Sequence, residues 1–397
     1  MPEIAEVERA ARLLRSVALH RRIERVTTSQ DVRVFSPPDL HLHLPTFLEQ
    51  STVTNVQRYG KYFYLQTDRK SCLVMHLGMS GAVQIKGNPA AYYRRYPKSA
   101  DATSWPPLYY KFCLKFAGSD QDFAMVDPRR LGKIRLLEQV TDPLTVDPFT
   151  KLGFDPILSM PTLPDFTALV RVRKCPIKAL LLNQAVFAGV GNWVAGTFFV
   201  ELLSYLAQEL NNIPDEILYH ARIHPEQYAN TLTNEQIKAL YDKTLYVCQK
   251  AVAVNANHHE FPPFWLFSYR WGKGKDTSWR KQKSTTAKEE EEEGEEEEAA
   301  PAKQKKGKNS AVRQMMLEDG RLGTLKWMTV GGRTSAIVEE LQILPPSLDL
   351  SPEEEEEMVE TIKVKKTTKR VKVEETSMVK SEESLSKRPT RRSRKTA

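Results

Sequence analysis

The chain has 397 residues, 41% hydrophobic and 27% charged, with a formal net charge of +8. That length suits two domains plus tails, and no uninterrupted apolar run is long enough for a bilayer span or a signal-peptide core, so a soluble, non-membrane class is expected. The charge is segregated: residues 363–397 carry +9, the Glu runs 289–293, 295–298 and 353–357 carry −14, and about +13 remains on the body, a balance that suits a polyanion.

The chain opens Met1-Pro2-Glu3. An initiator Met before a small residue is normally trimmed, which leaves Pro2 with a free secondary amine. Such an amine titrates near pKa ~8 and, when neutral, can form an imine with a sugar carbon. Glu3 stands beside it as a candidate general acid. Residues 4–18 then read as an amphipathic helix, with Ile4, Val7, Ala11, Leu14 and Ala18 on one face and Glu6, Arg9, Arg12 and Arg15 between them. Burial of that face would anchor Pro2, since free termini are mobile.

Residues 20–140 read largely as β-structure. Phe112, Leu114 and Phe116 alternate with Lys111, Cys113 and Lys115, the period of a half-buried strand. Many short strands punctuated by Gly, Asn and Asp turns predict a β-sandwich. Residues 88–107 read as a long surface loop. The prolines at 143, 148, 156, 161 and 164 mark a linker over 141–165.

Helical patterning follows. Residues 177–182 form one predicted helix, and Thr233-Asn-Glu-Gln236 has the form of a capping box. It opens a helix whose buried face is Ile237, Leu240, Tyr241, Leu245, Cys248 and Val252. Between these helices lies Gly189-Val190-Gly191-Asn192. Two glycines before a helix start suit either an anion site or a tight helix–helix turn. Residues 272–320 are rich in Lys, Glu and Ser and are expected to be disordered. Residues 327–338 read as two strands joined at Gly331-Gly332, with Arg333 at or beside the tip. Beyond Pro345 a second disordered tail ends in a basic run able to bind nucleic acid loosely or act as a nuclear-import signal. The four cysteines, Cys72, Cys113, Cys175 and Cys248, lie far apart without a Cys-x-x-Cys, which argues for reduced thiols rather than a disulfide framework or zinc site.

Several of these pieces, in this order, resemble the formamidopyrimidine-DNA glycosylases and their endonuclease-VIII-type relatives. The matching stretches are Pro2-Glu3-Ile4-Ala5-Glu6-Val7-Glu8, Gly60-Lys61-Tyr62, His-Leu-Gly-Met-Ser-Gly at 76–81, Asp127-Pro-Arg-Arg-Leu131-Gly, Leu152-Gly-Phe-Asp-Pro156, Gly-Val-Gly-Asn at 189–192 and Ile223-His224-Pro225. The resemblance covers roughly residues 2–275 and 321–344. It implies an α+β protein. An N-terminal β-sandwich domain with its N-terminal helix (2–140) is followed by the linker and a helix–two-turn–helix domain (166–271). A zincless β-hairpin finger (321–344) and a disordered tail (345–397) complete it.

The resemblance also implies roles. Pro2 is the expected nucleophile at C1′ of a damaged nucleotide, and Glu3 the acid that protonates the deoxyribose ring oxygen. Lys61 and Asn192 resemble phosphate-holding residues, and Arg333 the finger arginine that contacts phosphate and aids strand cleavage. Met79, Arg129 and Leu131 resemble the triad that fills the hole left by a flipped base. The implied activity is a bifunctional glycosylase and abasic-site lyase on damaged double-stranded DNA. It acts as a nuclear monomer, with no zinc and no other cofactor.

Three departures stand out. Leu131 replaces the Phe of bacterial members and stacks less well. The finger lacks Cys pairs and resembles the Val-Gly-Gly-Arg-Thr-Ser form of plant and fungal members, which favour ring-opened purines and hydantoins over 8-oxoguanine. Finally, residues 196–214 interrupt a stretch that is continuous in this branch, so that Glu216, not Thr197, matches the family's acidic DNA-binding residue. We read the interruption as a retained short intron, which gap-free transcript sequencing across the site would defeat. Two other readings stand beside the enzyme: an inactive DNA-binding homologue and a chromatin scaffold working through its charged tails.

Overall fold

The computed structural model describes residues 2–88, 104–191, 213–269 and 313–345. Helix α1 (Ile4–Ala18) comes first, with Ile4, Val7, Ala11, Leu14 and Ala18 all buried as the spacing requires. Glu6 departs from that reading. It is buried, and its Oε2 accepts the Glu3 N–H at 3.0 Å, closing a capping box at the helix start.

The strands β1 (Ile23–Thr28), β2 (Phe35–Ser36), β3 (Val53–Tyr59), β4 (Tyr62–Thr67), β5 (Cys72–His76), β6 (Ala82–Ile85), β7 (Tyr110–Phe116), β8 (Phe123–Val126) and β9 (Lys133–Leu137) form two sheets. One runs β1-β7-β8-β6 and the other β2-β9-β5-β4-β3, all antiparallel except β2 with β9. Phe63, Leu65, Met75, Phe112, Leu114, Phe116 and Phe123 fill the space between them. The largely β reading of 20–140 did not single out the helix Leu40–Leu48, which packs on β1 with Leu40, Leu44 and Leu48 inward. Its short Leu-His-Leu-His alternation mimics a strand period. The expected alternation along β7 also fails: Lys111 and Cys113 are buried too, Lys111 through an ion pair with Asp31.

The rest of α1 packs into the sandwich core, but Ile4 and Ala5 belong to a second core. That core gathers the helices Leu163–Arg171, Ile177–Leu182, Ile213–Ala221 and Asn234–Ala253. The Thr233–Gln236 capping box is present, Thr233 Oγ1 accepting the Gln236 N–H at 3.2 Å. Along this last helix Thr244 and Val247 are buried, whereas Tyr241 and Leu245 are half-buried. Helix α1 therefore straddles both domains, and its first N–H, that of Ile4, donates to Gly189 O at 3.1 Å.

The proline-rich segment is no free linker. Asp155 is fully buried, its carboxylate paired with the guanidinium of Arg58 and accepting the Gly60 N–H at 2.8 Å. Asp155→Ala would take the two-oxygen partner from the buried Arg58 guanidinium and leave it the Glu8 carboxylate, 3.0 Å from Nε. It is expected to cost about 3–5 kcal/mol in urea unfolding of the full chain, the scale for breaking a buried pair.

The finger is larger than the expected 321–344 hairpin. Its strands β10 (Arg313–Met316), β11 (Leu322–Val330) and β12 (Arg333–Val338) form one antiparallel sheet, so residues 313–320 are structured rather than part of a disordered segment. Gly331 and Gly332 have φ of +57° and +73°, the pair of positive values a two-residue turn of this hand requires. Met315, Leu325, Ala336 and Val338 bury one face with Tyr219 and Leu266. The buried Lys178 Nζ reaches Asp215 Oδ1 at 2.7 Å and Thr334 O at 2.8 Å, and Asp215 Oδ2 accepts the Ala336 N–H at 3.0 Å. These bonds fix the strand that begins with Arg333. The expectations for the surface loop over 89–103, for 196–212 within the interruption, for 270–312 and for the tail from 346 lie outside the described residues.

Candidate active site

The start of α1 lies at the seam of the two domains. Pro2 and Glu3 are buried, Glu3 completely. Glu3 Oε2 accepts the N–H of Ile213, 3.2 Å away at the head of the helix Ile213–Ala221. Ile213 belongs to the stretch read as an interruption, yet it contributes to this pocket. Glu3 Oε1 and Glu6 Oε1 are buried without a hydrogen-bond partner among the described residues. Burial pushes the Glu3 carboxyl well above the usual glutamate range; Lys61 opposes the shift and Glu6 reinforces it. A buried carboxyl that keeps its proton is equipped to act as an acid.

Lys61 is 4% exposed and follows the sharp turn at Gly60, whose N–H is held by Asp155. Burial lowers its ammonium to about 8, against the pull of Glu3 and Glu6, and Arg333 is near enough that its charge lowers it further. The Lys61 Nζ occupies the space where a side chain on Gly191 would begin. Gly191→Ala is therefore expected to push the Lys61 head aside. Because a flexible side chain yields easily, the melting temperature should stay near wild type while turnover falls by about 10²-fold, the scale for small misplacements at a reacting centre. Parallel thermal melts and turnover assays check both halves.

Tyr62, next to Lys61, pairs across the sheet with His76, their rings 4.8 Å apart. Burial, with the Lys61 charge, lowers His76 to about 4, so the imidazole is neutral at physiological pH. Its Nδ1 accepts the Gly78 N–H at 3.0 Å, which leaves the proton on Nε2 as a donor. Gly78 in turn is pressed against the Leu131 backbone so closely that a Cβ would overlap it.

That contact joins the two loops carrying the expected wedge. Met79 is half-buried, Arg129 is exposed, and Leu131 is 42% exposed despite its apolar side chain. Asp127, fully buried, accepts the N–H groups of Arg129, Leu131 and Gly132 at 3.1, 2.7 and 2.6 Å and the Ser80 hydroxyl at 2.8 Å. Arg333, exposed beside the hairpin turn, completes the group.

Two expected site residues remain. Asn192 lies outside the described residues. Glu216 is buried among helices, its Oε1 and Oε2 accepting the N–H groups of Leu266 and Phe267 at 3.0 and 2.8 Å. Both oxygens thus hold the 266–267 turn. The residue-by-residue reading had passed over three others. The capping spacing could have revealed Glu6, and the quoted motif contained His76. Asp155 likewise lay within a quoted motif, the Leu152–Pro156 stretch. No group of three or more His, Cys, Asp or Glu among the described residues is placed to hold a metal ion. No helix among them is long and apolar enough to cross a membrane.

Two family models fall on the two halves of this arrangement. The N-terminal domain of formamidopyrimidine-DNA glycosylase matches residues 1–134, and its H2TH domain matches 210–262. They define the class: a DNA glycosylase of base excision repair. The formamidopyrimidine-DNA glycosylase of Arabidopsis thaliana is 32% identical over 347 residues, covering 87% of this chain and 71% of that protein. That of Gluconobacter oxydans is 30% identical over 254 residues, 64% of this chain and 78% of that protein. The Lactococcus lactis protein solved with DNA containing an abasic site shares the fold, with a TM-score of 0.55 at 21% identity over 86% of this chain and all of that one. The chain belongs to the formamidopyrimidine-DNA glycosylase family.

Proposed function

We propose that this protein is a bifunctional DNA glycosylase and abasic-site lyase that removes oxidised purines, chiefly formamidopyrimidines and hydantoins, with 8-oxoguanine a poor substrate. The observation that carries the reading is the buried Glu3–Lys61 couple at the foot of α1, beside a Pro2 that becomes a secondary amine once Met1 is removed.

The Pro2 nitrogen lone pair bonds to C1′ of the extruded nucleotide, the C1′–base bond breaks, and the base leaves with its electron pair and takes up the proton that the Pro2 nitrogen sheds. Glu3 gives its proton to the ring oxygen, the sugar opens, and an iminium joins Pro2 to C1′. Loss of a C2′ proton then expels the 3′ phosphate, and a second elimination expels the 5′ phosphate. Lys61, Asn192, Arg333 and the neutral His76 hold the flanking phosphates. Met79, Arg129 and Leu131 fill the vacated stack.

Borohydride trapping on a duplex bearing a formamidopyrimidine tests the proposal. Intact mass should show a covalent DNA adduct on protein that lacks Met1. Tight binding of the same duplex without an adduct would instead make the chain a non-catalytic DNA-binding relative.

A further inference from the structure

The apex of the wedge loop is Arg130, whose φ of +58° lies in the left-handed region that a non-glycine residue rarely adopts. Asp127 holds this loop by backbone N–H groups on either side of that apex. A second carboxylate holds the apex itself. Asp31 accepts Arg130 Nε at 2.9 Å on both oxygens, and its Oδ1 lies 2.8 Å from Nη2. The same carboxylate is gripped by Lys111 Nζ at 2.7 Å on Oδ2 and by the Arg33 N–H at 3.3 Å on Oδ1. Asp31 and Lys111 are nearly buried, while the Arg130 side chain is 44% exposed. Lys111 stands on β7, and its carbonyl accepts the Ser29 N–H at 2.8 Å, so the anchor is part of the sandwich.

We propose that Asp31, braced by Lys111, is a positioning residue for base extrusion: by tying Arg130 back to the sheet it holds Arg129 and Leu131 outward and so sets discrimination of the base opposite the lesion. This rests on the wedge role proposed above. An apolar side chain can press apart a base step only if its own backbone does not recoil. The loop has no regular secondary structure. Its rigidity comes from Asp127 below and Asp31 beside it. Neither Asp31 nor Arg130 is assigned to the reacting atoms.

The test uses the full chain with Asp31→Asn, Arg130→Gln and, for reference, Leu131→Ala. Single-turnover excision is measured on duplexes with a formamidopyrimidine opposite cytosine or adenine. Cleavage of a preformed abasic site in a single strand, which needs no extrusion, is measured beside it. Asp31→Asn and Arg130→Gln should each lower duplex excision by about tenfold and bring the cytosine-to-adenine ratio toward one, with single-strand cleavage within about twofold of wild type. An unchanged duplex rate and ratio in both variants overturns the proposal, and so does an equal loss on the single strand. If wild-type protein forms no borohydride adduct, the proposed reaction fails by itself. The anchor is then read from binding of duplexes with a tetrahydrofuran abasic analogue opposite cytosine or adenine. Arg130→Gln must level that preference, and an intact preference sinks the proposal.

Discussion

Pro2→Leu is expected to lower cleavage of a formamidopyrimidine duplex by about 10⁴-fold or more, the scale on which loss of a covalent nucleophile registers. Leucine at the second position blocks removal of Met1, so the nitrogen at position 2 stays a peptide amide with its lone pair delocalised. Intact mass should show Met1 retained, and borohydride should trap no adduct. Binding to the same duplex should survive, because Lys61, Arg333 and the wedge loop are untouched. A variant that keeps Met1 and still cuts at the wild-type rate would move the nucleophile elsewhere in the chain.

Glu3→Gln is expected to reduce base excision by about 10²–10⁴-fold, the range for a positioned general acid, because glutamine cannot give up a proton. Its stability should change in the opposite direction. Burial raises the Glu3 carboxyl well above its unfolded value. As pH rises from the usual glutamate range, the unfolded chain releases this proton while the fold retains it. Wild-type stability therefore falls with rising pH until the raised pKa is passed, and flattens above it. The variant lacks that slope and should melt higher at neutral pH, an exchange of stability for activity common at catalytic groups. On the alkaline side wild-type KM should rise as Lys61, at about 8, loses its charge and its hold on phosphate. Melting curves and pH–rate profiles of the two proteins read these effects together. A variant no more stable than wild type at neutral pH would mean that the Glu3 charge is not strained by burial.

Much of the fold could be read along the chain because it depends on local periodicity. The face of α1, the capping box at Thr233 and the Gly331-Gly332 turn each follow from residues within a few positions of one another. Where the reading failed, the deciding contact was distant. Strand β10 has Met315 as its buried residue, and that burial exists only once β11 and Tyr219 close over it. Lys111 looked like a solvent-facing residue until Asp31 was placed against it. Glu216 matched an acidic DNA-binding position, but folding turns both of its oxygens toward Leu266 and Phe267.

The order of residues alone marked the candidates for chemistry here: a Pro2 that removal of Met1 would turn into an amine, an adjacent acid, a lysine after a glycine turn and an arginine at a two-glycine hairpin. These are properties of side-chain type and short spacing, and they need no partner to be recognised. Tertiary structure decided what those groups become. It buries Glu3 so that the proton stays, lowers Lys61 toward neutrality, and carries Arg333 from the far end of the described chain to within electrostatic reach of Lys61. The physical reason is that desolvation and Coulombic coupling depend on distance through space, which two domains clasped around one helix set and no local pattern encodes.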